Sequence, residues 1–289
     1  MTKNGPEKLV IFDYSGTLST EAPQFGRPAN LVRAFTESGL FPLGVTTPKI
    51  FWEEIVIPTW IAGSTTAAGY KRILAERIEA VGLAPAATGA EIATAASRFV
   101  DRYLDHSRID PRWRPILENL SVHPGTALVI ATDHYAEATE TIIRNLRSWD
   151  LQARKAEAGS GKNGWLSLFS IANSADIGFW KADRRFWEVL KSRLPLETVR
   201  SALIIDDFGF NEEQGDSDGA WARVAARQEK TLTVLEEVFH AAQVIPFLLK
   251  GGERENAPAL RIAETGARIG QFLNPPTGAF PAVCPDLSP

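Results

Sequence analysis

A chain of 289 residues is long enough for one large domain or two ordinary ones. Hydrophobic residues at 44% and charged residues at 23% lie near globular averages, so the composition excludes wholesale disorder. Lys and Arg number 31 against 35 Asp and Glu, a net charge of −4, which argues against nucleic acid as the main partner because neutralising phosphates takes clustered basic side chains. The one cysteine, Cys284, excludes an intrachain disulfide, a CxxC pair and a cysteine-based metal site. The first eight residues are polar and the apolar run after them spans only 9–12, too short for a signal peptide or a membrane span. The expectation is a cytoplasmic protein without a membrane partner.

In chain order, the apolar run 9–12 reads as a buried strand that stops at Asp13. Residues 20–120 then read as helical, with no convincing strand. Leu31 and Phe35 lead to a stop at Gly39. Leu74, Ile78 and Val81 mark a helix over 70–81, and Thr88 with Glu91 forms a capping box before Ile92, Ala96, Phe99 and Tyr103. Pro23, Gly26 and Pro28 flank this block on one side, Pro124 and Gly125 on the other. A second buried strand, 127–131, ends at Thr132-Asp133, and 135–149 follows as a helix. Residues 166–171 give a weaker strand. A helix over 183–194 begins at the N-cap Asp183 and stops before Pro195. The strand 201–205 ends at Asp206-Asp207, and a helix over 218–240 leads to a strand over 244–249. A last helix covers 259–272, before an irregular Pro-rich end. Strands alternating with helices in this way predict an α/β fold with a parallel sheet.

In open α/β sheets the ligand site lies off the carboxyl ends of the strands. Asp13, Thr132, Asp206 and Asp207 all stand at such ends, so the fold can gather them although nearly 200 residues separate the first from the last. A single Asp after a strand is ordinarily a turn former or helix cap; three strand ends with a lysine between them are not so easily explained.

The segment Asp13-Tyr14-Ser15-Gly16-Thr17-Leu18 resembles the first motif of the haloacid dehalogenase (HAD) superfamily, Asp-x-Asp-Gly-Thr-Leu. Thr132 is similar to the second motif, Lys181 with its surroundings from Ser174 to Phe186 to the third, and Asp206-Asp207 to the paired acidic fourth. The resemblance covers residues 9–215 and implies a Rossmann-like core carrying an all-α cap of the C1 type. It divides the chain into residues 1–19 and 121–250 as core, 20–120 as cap and 251–289 as a C-terminal extension. It also implies that Asp13 attacks phosphorus and becomes an aspartyl-phosphate. Mg²⁺ would be held by Asp13, the carbonyl of Ser15 and Asp207, with Asp206 adjacent. Thr132 and Lys181 would hold the transferring oxygens. The implied activity is hydrolysis of a small phosphorylated or phosphonate metabolite.

One departure bears on the reaction. The family's phosphatases carry an acid–base Asp two positions after the nucleophile, and here that position is Ser15. Members without that Asp include haloalkanoate dehalogenases, phosphonoacetaldehyde hydrolases and phosphorylated-intermediate ion pumps. The alternatives are therefore a phosphonatase-like C–P hydrolase, for which Lys49 and Lys71 lie in the cap region, a dehalogenase, or a protein that binds a phosphorylated ligand without turning it over. His134 either replaces the missing acid–base group or is a first-turn helix residue exposed to solvent. Asn211 and Glu212, four and five residues beyond Asp207, are supporting candidates. Residues 159–164 read as a surface turn rather than a phosphate loop. The tryptophans read mainly as core, with Trp52 and Trp60 as candidate pocket walls. His106, His123 and His240 show no ligand spacing, and the oligomeric state is open.

Overall fold

Every residue of β1 (Lys8–Phe12) from Leu9 onward is apolar and buried, the pattern of a strand covered on both faces. The structure is a computed structural model and describes residues 5–157, 168–212, 218–249 and 257–275. β1 lies near the centre of a six-stranded sheet with β2 (Thr126–Thr132), β3 (Gln152–Lys155), β4 (Leu168–Asn173), β5 (Ser201–Asp206) and β6 (Ala242–Pro246). The order is β3-β4-β2-β1-β5-β6 and every pair is parallel, a Rossmann-like α/β architecture. The expected strand over 166–171 begins its described part at Leu168 and runs on to Asn173; residues 166 and 167, like 159–164 and Cys284, lie outside the described residues.

Because side chains alternate across a strand, the sheet feeds two separate cores. Val10 and Phe12 join Leu128, Ile130, Leu203 and Ile205 on one face, under α7 (Arg114–Ser121), α8 (Glu137–Arg147) and α12 (Ala257–Leu273). Leu9 and Ile11 join Val129, Ile204 and Val244 on the other, under α9 (Ser174–Ile177), α10 (Arg184–Arg193) and α11 (Asp218–Phe239). β3 was not expected from the sequence. It is a four-residue edge strand whose one buried side chain is Ala153, between Gln152 and the polar Arg154-Lys155, and charged edges of this kind discourage strand addition.

Between β1 and β2 the chain builds a helical unit with its own core. It comprises α1 (Ala22–Phe25), α2 (Pro28–Ser38), α3 (Pro48–Ile50), α4 (Ile57–Ser64), α5 (Tyr70–Ala80) and α6 (Gly89–His106). Phe35, Phe51 and Phe99 pack together at its centre, with ring centroids 5.2–5.7 Å apart. The Thr88–Glu91 capping box is present, and α2 ends at Gly39 with φ 90°, a left-handed conformation that glycine adopts without steric cost. Residues 48–64 gave no sequence signal because Pro58 interrupts them. α3 runs into α4 through a π-helical turn, Phe51–Val56. Pro58 has no N–H for the Glu54 carbonyl four residues back, and Arg77 Nε on α5 donates to that carbonyl instead, at 2.6 Å.

The packing joins parts of the chain that lie far apart in sequence. The helical unit's cluster takes residues up to Leu104 together with Tyr135 from beyond β2, whereas Ile109, Trp113, Leu117 and Leu120 belong to the core under the sheet. The buried Trp113 also donates from Nε1 to the Thr17 carbonyl, at 3.1 Å. From the chain after 251, Ile262, Ile269 and Leu273 of α12 join the same core, and Lys8 Nζ donates to the carbonyls of Phe272 and Leu273 at 3.0 and 2.7 Å. Among the described residues no helix is long and apolar enough to cross a membrane.

Trp113 thus links the Thr17 loop, Phe12 and Phe247. Trp113→Ala is expected to cost about 3–5 kcal/mol in urea unfolding. Val122→Ser, at a residue 74% exposed, is expected to stay within about 0.5 kcal/mol.

Candidate active site

The strand register assembles the acidic residues. Phe12 stands opposite Ile205 on β5 and Ile130 on β2. One step further along, Asp13 therefore neighbours Asp206, and Thr132 ends the strand on its other side. Asp13, Asp206 and Asp207 are buried, and each offers a carboxylate oxygen within 4.8 Å of the others. Into this group reaches Lys181, whose Nζ donates to Asp13 Oδ1 at 2.6 Å and to Asp206 Oδ2 at 2.7 Å. Its backbone is fixed from two sides. Lys181 N donates to Asp133 Oδ1 at 2.9 Å, and its carbonyl accepts from the buried Trp187 Nε1 at 2.7 Å.

The loop after β5 is shaped to hold carboxylates. Phe208 N donates to Asp206 Oδ1, and the amides of Gly209 and Asn211 donate to Asp207. Asp207 N in turn donates to Thr17 Oγ1, at 3.1 Å. Phe208 has φ 52°, an uncommon conformation for a bulky residue. Facing it, Gly16 has φ 81°, and a Cβ there would run into the Asp207 carboxyl, so both conformation and space require glycine. Asn211 ties three segments together: its Nδ2 donates to the carbonyls of Gly16 and Phe247, and its Oδ1 accepts from Leu249 N. Ser15 Oγ donates to Glu212 Oε1, at 2.6 Å.

Burial, opposed by Lys181 and reinforced by Asp206, pushes the Asp13 carboxyl up to about 8. Burial, then Asp13, raises Asp207 well above the usual carboxylate range. Burial alone would lower the Lys181 ammonium, but Asp13, Asp206 and Asp133 outweigh it and hold it charged. The cluster holds three buried carboxyl groups but one ammonium, which contacts two of them, and its oxygen-only donor set suits a hard divalent cation. The site could hold a metal ion.

Above the sheet, the segment after Thr132 docks against the helical unit. His134 is buried, not exposed as a first-turn helix residue would be, and its Nε2 lies 2.7 Å from the Tyr103 hydroxyl of α6. Tyr135 stacks on Tyr70 with centroids 3.9 Å apart, and the Trp60 ring meets its edge. Glu137 accepts from the first amides of α5, Tyr70 N at 2.7 Å and Lys71 N at 3.1 Å. Below, Asn173 Nδ2 donates to the Tyr135 carbonyl and Ser174 Oγ accepts from His134 N. Trp52 is exposed and walls no pocket of this site. Tyr103, Asp133, Glu137 and Asn173 were not singled out for chemistry in the sequence. Tyr103 had registered only as part of an apolar helix face, and the other three fit no motif.

His134 carries a pH signature. Burial pushes its imidazole down to about 4, whereas in the unfolded chain it titrates near about 6.5. Between those values the unfolded state binds a proton that the folded state does not, so stability falls as pH drops, by about 1.4 kcal/mol per unit. His134→Gln is expected to remove that part of the slope. Urea unfolding between about pH 7 and pH 5 checks this, and equal slopes in the two proteins would contradict the lowered imidazole.

No protein-family model matches the chain, and no curated protein matches it. Among solved structures, it is similar to the 2-haloacid dehalogenase of Pseudomonas syringae pv. Tomato DC3000, at 18% identity and TM-score 0.43 over 76% of this chain and 99% of that one. It is also similar to YfnB of Bacillus subtilis, named as a HAD-hydrolase and bound to magnesium, at 13% identity and TM-score 0.37 over 70% of this chain and 78% of that one.

Proposed function

We propose that the chain is a HAD-like, Mg²⁺-dependent hydrolase that acts on a small phosphorylated metabolite through an aspartyl-phosphate on Asp13. The observation that carries this reading is the Lys181 ammonium bridging Asp13 and Asp206 with Asp207 in the same cluster. Four segments in the order of the family's motifs supply that cluster and the neighbouring Thr132.

In this reading Asp13 is the nucleophile, and Lys181 orients it while neutralising part of the incoming phosphate's charge. The Thr132 hydroxyl, at the buried end of β2, holds a transferring oxygen. Asp13, the Ser15 carbonyl and Asp207 would hold Mg²⁺, with Asp206 beside them. When bound, the cation offsets the repulsion between an anionic nucleophile and an anionic phosphate. The helical unit acts as the cap, and its contacts at His134, Tyr135 and Glu137 hold it against the segment beside the site.

The geometry weighs against a phosphonatase-type Schiff base. Lys49 is exposed and its Nζ is 4.0 Å from Glu53, while Lys71 pairs with Asp101 at 2.5 Å, so neither reaches Asp13.

The test is inorganic phosphate release from a panel of phosphate compounds, with Mg²⁺ and with EDTA. Release is expected to depend on Mg²⁺, to vanish in Asp13→Asn and to drop about 10²–10³-fold in Lys181→Met. Mg²⁺-dependent ligand binding without release would instead mark a binding protein.

A further inference from the structure

Lys181 sits in the loop between α9 and α10, outside any helix or strand. A loop is held less firmly than the elements it joins, so an ammonium that must stand between two carboxylates depends on side-chain anchors. Two anchors come from the core. Asp133 Oδ1 accepts from Lys181 N at 2.9 Å, and the Lys181 carbonyl accepts from Trp187 Nε1 at 2.7 Å. The third comes from the helical unit. Trp180, the residue before the lysine, donates from Nε1 to Ser64 Oγ in the last turn of α4, at 2.8 Å.

The acceptor is shaped for this bond. Ser64 is buried, and its own proton goes to the Trp60 carbonyl at 2.7 Å, which leaves a lone pair for the Trp180 N–H. One residue earlier, glycine allows the turn to dock closely. A Cβ at Gly63 would lie 2.2 Å from a ring carbon of Tyr135, so α4 comes this near to the segment after β2 only with glycine there. The Trp60 ring also meets the edge of Tyr135, with centroids 5.5 Å apart. The end of α4 therefore touches both stretches that fix Lys181. One is the segment after Thr132, which includes Asp133, and the other is the residue just before the lysine.

We propose that Trp180 is a positioning residue for Lys181, anchored by Ser64 of the helical unit, so that the ammonium stands between Asp13 and Asp206 only while α4 is docked. Trp180 acts through the lysine. With the indole bond made, anchors hold the backbone on either side of Lys181, and its Nζ meets both carboxylates. Without that bond the Asp133 and Trp187 contacts remain, but residue 180 is free to swing and the ammonium loses its fixed height beside Asp13. A misplacement of about 1 Å at a catalytic group can cost about 10²-fold in rate. The kinetic consequence rests on the phosphoryl-transfer reading of Asp13, whereas the placement of Lys181 does not.

The experiment uses the full chain as four proteins: unmodified, Trp180→Phe, Ser64→Ala and the two substitutions combined. Urea unfolding first establishes that each is folded. Hydrogen exchange of the Lys181 amide, the one bonded to Asp133, is then followed by NMR. Phosphate release from an aryl phosphate is measured with Mg²⁺, with Asp13→Asn as blank. Each single substitution is expected to speed that exchange at least about tenfold. It is also expected to lower kcat about tenfold while KM stays within about twofold. The double variant is expected to match either single one, because both remove the same bond. An unchanged Lys181 amide in folded Ser64→Ala would overturn the proposal, whatever the substitution at 180 does. So would losses that add in the double variant, or a change confined to KM. No release above the blank from the unmodified protein, with the exchange effects present, would sink the phosphoryl-transfer reading and leave the placement of Lys181 by Trp180 standing.

Discussion

The structure is organised around two buried carboxylates, Asp13 and Asp206, that share the Lys181 ammonium, with a third, Asp207, beside them. Burying a charge is costly unless it is paired and hydrogen-bonded, and much of the surrounding chain is arranged to meet that cost. Lys181 enters only because Asp133 and Trp187 hold its backbone at the right height. The loop after β5 turns its amides inward at Phe208, Gly209 and Asn211. To do so it accepts a left-handed backbone at Phe208, a position where the fold does not use glycine. Gly16 leaves Asp207 the space that any other residue would fill. Trp187 and Phe208 serve twice, since both side chains also pack in the core on one face of the sheet.

The sheet and the acidic cluster were legible because parallel strands advertise themselves as continuous apolar runs, and because the first polar residue after each run marks the end where ligands bind. Asp13, Thr132, Lys181, Asp206 and Asp207 all follow from that rule together with the motif order. What stayed hidden had no periodic signature. β3 is too short and polar to stand out, and the helix over 57–64 is masked by Pro58 and depends on Arg77, a residue from another helix. Which core a helix joins is not legible in the sequence, because amphipathic helices look alike whichever core they face. Only the contacts show that Trp113 and Leu117 pack under the sheet. His134 illustrates the same limit at the site. Its place just after a strand end gave its neighbourhood, whereas its burial depends on Tyr103, 31 residues away.

The helical unit and the site are one mechanical system. The N-terminus of a helix presents amides without partners inside the helix, and for α5 the Glu137 carboxylate satisfies two of them. Glu137 opens α8, and the segment before it, which follows Thr132 at the end of β2, carries Asp133 and His134. Lifting α5 away would leave those amides to water and unstack Tyr70 from Tyr135. It would also disturb the segment whose Asp133 fixes the backbone of Lys181. The contacts that hold the unit down are therefore the ones that hold the loop after β2 in shape. Any substrate that enters by displacing the helical unit must loosen the loop that is to bind it, and closure restores both together. Access to the site and assembly of the site are, in this architecture, the same event.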